Sequence, residues 1–136
     1  MTDKEERLNQ AAEQIRLLEQ YSAKIRNENV QTSLRSLISV LGSLKETQYL
    51  FDSGEKELKN LYARYLPYLD QILAQYLEIS ESGNYEAVLK SERELQRTLI
   101  SLTDAVRKIN LILPQDEAAD AAASMAAEKM KHAMES

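Results

Sequence analysis

From Leu8 the apolar and small residues fall at Leu8, Ala11, Ile15, Leu18, Ser22 and Ile25. These alternate steps of three and four line one side of a helix packed lengthwise on another. Continued, the same step reaches Asn29 and Thr32, but the apolar row resumes at Val30, Leu34, Leu37, Leu41 and Leu44. The change of phase predicts a break near Asn27–Asn29, separating a helix of about residues 4–27 from one of about 29–50.

The stretch FDSGEKEL supplies the next start signal, with Asp52 as N-cap and Glu55 three residues later in a capping-box arrangement. Beyond it Leu58, Leu61, Tyr62, Tyr65, Leu66, Tyr68, Leu69, Ile72, Leu73, Tyr76, Leu77 and Ile79 share about half of a helical wheel, and Pro67 stands opposite its centre. A mid-helix proline removes one backbone hydrogen bond at a cost of about 3 kcal/mol. Because the apolar phase runs through it, one helix kinked at Pro67 is expected, with the freed carbonyl of Ala63 turned to water. Gly83 and Asn84 then read as a stop and a new N-cap. The last long seam runs Val88, Glu92, Leu95, Leu99, Leu102, Val106, Ile109 and Leu113, with Ile100, Leu111 and Ile112 off it, facing a second neighbour. Pro114 is expected to end that helix, and the Ala-rich stretch after it to form another.

The pattern predicts an all-α protein: an antiparallel three- to four-helix bundle with a long N-terminal helix and a kinked helix at Pro67. Residues 1–28 read as an N-terminal helical extension, 29–113 as the bundle core and 114–136 as a weakly packed C-terminal helix. Composition agrees, since 136 residues hold only three Gly and two Pro, little turn or strand vocabulary. The absence of cysteine excludes disulfides, thiolate metal ligation and a cysteine nucleophile, and fits a reducing compartment. The formal charge is −5 with both signs interspersed, unlike the clustered cations of a nucleic-acid footprint, so no nucleic-acid partner is expected. The opening MTDKEERLNQ has no apolar core, and no apolar run approaches the roughly 18 residues of a membrane helix. The expected location is cytoplasmic, with membrane contact only through a partner or a segment outside this chain.

The segments LKNLYARYLPYLDQILAQYLEI and LQRTLISLTDAVRKI resemble the C-terminal helical region of the XpaC-like family, named for 5-bromo-4-chloroindolyl phosphate hydrolysis. Tyr65, Leu66, Pro67 and Tyr76 match one family helix, and Thr98, Leu99 and Ala105 match the next. Arg64 stands where the family has a first Tyr and Val106 where an aromatic is usual, while Asp120 is the counterpart of the Asp that leads the terminal segment. The resemblance covers roughly residues 25 to 130. It implies a bacterial protein of the kind found beside TelA-type toxic-anion resistance proteins, with a role in envelope or toxic-anion stress.

The family's name invites a search for a nucleophile with its base, or for clustered metal ligands. His132 is the one histidine, the Ser and Thr residues have no histidine near them in sequence, and no Glu-x-x-His motif or Gly-rich phosphate loop occurs. No catalytic, cofactor or metal residue is assigned. Glu92, the one carboxylate in an apolar row, and Asp70 are the groups a phosphate-ester hydrolase would have to use.

An interaction surface is better represented. Tyr68 lies at the edge of the tyrosine-rich arc, Leu8, Ile15 and Leu18 belong to a weak seam, and Met125 and Met130 offer adaptable apolar contacts. The leading expectation is a non-catalytic helical protein–protein interaction module, engaging a protein partner or a second copy. A phosphate-ester hydrolase and a homo-oligomeric coiled-coil scaffold are the alternatives.

Overall fold

The computed structural model describes residues 2–135, and every element among them is helical. Helix α1 spans Asp3–Lys24 and α2 spans Glu28–Leu50. Thr2 opens α1 by accepting from the Glu5 N–H at 3.2 Å, and Asp3, Glu5 and Glu6 set negative charge against the positive end of the helix dipole. The expected break falls between Lys24 and Glu28. Asn27 Oδ1 accepts from the Val30 N–H at 3.0 Å and so starts α2. Gln31 Nε2 donates to the carbonyls of Ser22 (2.9 Å) and Ile25 (3.3 Å), closing the end of α1.

Helix α3, Glu55–Asn60, begins differently from expectation. Its N-cap is Gly54, at φ 74°, and Asp52 does not cap it. The Asp52 carboxylate instead meets Lys4 Nζ at 3.0 Å, and its N–H donates to the Glu117 carboxylate at 2.9 Å. The left-handed turn at Gly54 brings the loop so close to Leu113 that a Cβ there would lie 1.9 Å from Leu113 Cδ2.

The stretch around Pro67 is divided. A π-helical turn, Leu61–Tyr65, follows α3 and leads into α4, Leu66–Ser80; the Leu66 N–H donates to the Leu61 carbonyl five residues back. The added residue in this turn re-aims the face, so Tyr65, expected on the apolar arc, is 50 % exposed while Leu61, Tyr62, Leu66 and Leu69 are buried. Pro67 and Ala63 are both exposed. The proline sits just past the register change, where its missing donor leaves the Ala63 carbonyl on the solvent side.

Gly83, at φ 76°, and Asn84, whose Oδ1 accepts from the Ala87 N–H at 3.1 Å, open α5 as expected. Helix α5 then runs Tyr85–Glu135 without a break. The expected stop at Pro114 and the separate last helix are therefore corrected. Around the proline, Ser53 Oγ donates to the Leu113 carbonyl, the Glu117 carboxylate accepts from the Asp52 N–H, and Leu113 is wholly buried.

Helix α2 packs most extensively on α5, α1 packs on α2, α4 packs on α5, and α1 touches α4 more lightly. Ser33 meets Gln96 (2.7 Å) at one end of the α2–α5 pair, and Asp52–Ser53 meet Leu113–Glu117 at the other. These two helices therefore run in the same direction, and the expected antiparallel arrangement does not describe them. The physical reason is the return path, because α3 and α4 carry the chain back along the fold before α5 begins. The core is built from Leu34, Leu37, Leu41 and Leu44 of α2, Leu66, Leu69 and Leu73 of α4, and Leu95, Leu99, Val106 and Leu113 of α5. Ala11 and Leu18 of α1 and Ile25 just after it are buried with them.

Candidate functional site

The sequence-predicted contact residues occupy three separate places and one is withdrawn. Leu18 is 0 % exposed, so it serves the core and not an outer contact surface. The small Ala11 and Ser22 made the row read as a weak seam, yet both are buried with Leu18 where α1 packs on α2. Leu8 and Ile15, half-buried, line one groove of about 640 Å³ with Gly42, Tyr49 and Leu50 of α2. Tyr49 and Leu50 are 67 % and 68 % exposed and were not anticipated. They lie off the α2 seam at the helix end, where sequence alone carries little information on facing.

Tyr68 opens a second groove, between α4 and α5, with Ile72 and Ile79 on one wall and Lys90, Glu94 and Arg97 on the other. Met125 and Met130 stand on the third place, the end of α5. Residues 118–134 are exposed throughout, with Met134 in the same stretch.

The two carboxylates considered for hydrolysis are held by different partners. Asp70 accepts from Gln14 Nε2 at 2.9 Å; burial raises its pKa and that hydrogen bond partly offsets the rise. Glu92 accepts from the Tyr76 hydroxyl at 3.0 Å. Glu92 lines a shallow pocket with Asn27, Asn29, Arg93 and Arg97, and Asp70 is not among its lining residues. Among the described residues no three His, Cys, Asp or Glu side chains group so as to hold a metal ion, and His132 is exposed. No helix among them is long and apolar enough to cross a membrane.

The Tyr76 phenol is pushed up to about 12, first by burial and then by the hydrogen bond and charge of Glu92. Its folded value lies above that of the unfolded chain. The neutral phenol therefore contributes stability that is fully present below about pH 10 and is lost as pH rises through about 12. Glu92→Gln removes the charge behind part of the shift. Phenolate absorbance in an alkaline titration is expected to show one tyrosine ionising at lower pH in this variant than in the parent.

A cluster that sequence reading passed over lies where the start of α1, the end of α2 and the start of α3 meet. Gln48 is 4 % exposed, and its Oε1 accepts from the Tyr62 hydroxyl at 2.7 Å. Burial drives the Tyr62 pKa above the usual phenol range, so this hydroxyl stays protonated. Among the described residues Gln48 Nε2 has no partner. A signal for this residue was present: 34, 37, 41, 44 and 48 continue one helical step, so the amide stands at a core position. Beside it is a cavity of about 260 Å³ walled by Leu8, Phe51 and Leu58. Its mouth carries the ion pairs Lys4–Asp52 and Arg7–Glu55.

No family model matches this sequence, and neither the curated proteins nor the solved structures yield a match to it.

Proposed function

We propose that this chain is a non-catalytic helical interaction module, acting in the cytoplasm, in which a four-helix bundle bent near Pro67 presents α5 as a docking arm. The observation that supports this reading is the arm itself: residues 118–134 are helical, yet none is buried, and they carry Met125, Met130 and Met134. Most helical stability in proteins comes from packing an apolar face, and this stretch of α5 buries none. A helical stretch exposed over its whole length gains stability by laying its apolar residues on another protein or on a second copy, and methionine adapts to such surfaces. The XpaC-like resemblance belongs to the same proposal, together with the role in envelope or toxic-anion stress that it implies. Of its four motif residues, Leu66 and Tyr76 are buried in this chain while Tyr65 and Pro67 are exposed, so half of the motif serves packing.

The test compares the full chain with one ending at Glu117, by molar mass over a range of concentrations. The arm lies outside the core, so the shortened chain is expected to unfold at nearly the same denaturant concentration. The full chain alone is expected to gain mass with concentration, or with an added partner protein. A monomer at every concentration, joined to turnover of a chromogenic phosphate ester that co-purifies with the chain and falls in Glu92→Gln, would replace this reading with the hydrolase.

A further inference from the structure

Gln48, which lines the cavity, carries a hydrogen-bond donor that the fold does not use. Gln48 is almost fully buried, Tyr62 satisfies one end of its amide, and the other end has no partner among the described residues. With the Tyr62 hydroxyl donating to Oε1, the unused group is the Nε2 donor. Buried polar groups are rarely left unpaired, and leaving one so is costly. An apolar side chain would fill this heptad-like position at lower cost, so the amide points to an acceptor supplied from outside the chain.

The mouth of the cavity indicates what carries that acceptor. In the Lys4–Asp52 and Arg7–Glu55 pairs the cations are 39 % and 33 % exposed, the carboxylates 79 % and 75 %. All four residues line the cavity, Lys4 Nζ also lies 5.7 Å from the centre of the Tyr49 ring, and ion pairs this exposed contribute little and exchange readily. An incoming carboxylate can take the place of Glu55 on Arg7, and a carboxylate so released, or Asp52, can receive an ammonium. A zwitterion makes both exchanges without changing the charge at the mouth. Leu8, Phe51 and Leu58 supply an apolar wall for the rest of the molecule. At about 260 Å³ the space lies below the roughly 300–1,000 Å³ of pockets for drug-sized ligands, which confines the occupant to a small molecule.

We propose that this cavity binds a small zwitterion with an apolar side chain, a free aliphatic α-amino acid. Its carboxylate accepts from Gln48 Nε2 with Arg7 as counter-charge, its ammonium faces Asp52, and its side chain lies on Leu8, Phe51 and Leu58. The site stands apart from the α5 arm and does not depend on the docking reading.

The experiment titrates the full, nitrogen-labelled chain with L-leucine, with isocaproate, which is the same body without the ammonium, and with isoamylamine, which lacks the carboxylate. L-Leucine is expected to shift the Gln48 side-chain amide and the backbone amides of residues 3–8 and 51–58 saturably, with each analogue about tenfold weaker or worse. Gln48→Met and Arg7→Gln are each expected to weaken L-leucine about tenfold. Arg7 sits at the partly exposed mouth, so its variant keeps the fold even where the core substitution repacks it. Saturation by none of the three probes, isocaproate binding as tightly as L-leucine, or parental affinity in Arg7→Gln would each overturn the proposal.

Discussion

Gly54→Ala is expected to destabilise the fold by about 2–5 kcal/mol, read as a drop in unfolding free energy from urea titration. Two separate costs add. At φ 74° a residue with a Cβ sits in the left-handed region, at roughly 1–2 kcal/mol. The new Cβ would also lie 1.9 Å from Leu113 Cδ2, and forcing an extra carbon into a packed site costs about 1–3 kcal/mol. Leu113 is wholly buried and its carbonyl accepts from Ser53, so neither side of the clash has room to retreat. Against a total stability of about 5–15 kcal/mol for such a domain, the change is large. Gly42→Ala is the control of opposite sign. Gly42 lies within α2 with nothing within 4 Å of an added Cβ, so alanine there is expected to stabilise by about 0.5–1 kcal/mol. A loss at Gly42 as large as that at Gly54 would contradict the account of the loop between α2 and α3.

The second large effect is expected at the α2–α5 contact. Leu99 is 0 % exposed, about one turn from the end of the α2–α5 contact that Gln96 and Ser33 mark. Leu99→Ala removes buried methyl groups and leaves a cavity, at about 2–5 kcal/mol. Leu111, on the same helix but 66 % exposed, is expected to change by no more than about 0.5 kcal/mol as alanine. The pair tests which side of α5 faces the core, because the two leucines carry the same side chain on the same helix. Equal losses at both positions would mean that α5 is turned differently.

The expected partition of the candidate site follows similar lines. Leu8 and Ile15 were readable as one row on α1, and both line the same groove. That Tyr49 and Leu50 complete the groove depends on where the end of α2 lies against α1. Gln48 was readable as a polar residue in a core step, but its unpaired amide emerges only when Tyr62 and the cavity are placed around it.

By itself the sequence determined the helical class, the break at Asn27, the start at Asn84 and the buried rows of α2 and α5. These rest on short-range physics: a cap side chain reaches three residues ahead, and the spacing of apolar residues sets the side that leaves water. Only the tertiary structure decided that Gly54 displaces Asp52 as a cap, that Tyr65 turns outward through a π-helical turn, that α2 and α5 run in the same direction and that α5 continues past Pro114. The Asp52 outcome rests on partners far away in the chain, Lys4 and Glu117, and Ser53 reaches the Leu113 carbonyl beside Pro114 from a similar distance in sequence. A local pattern states what a segment prefers. Contacts some fifty or sixty residues away supply free energies as large as those preferences, and where the two compete the distant contacts decide.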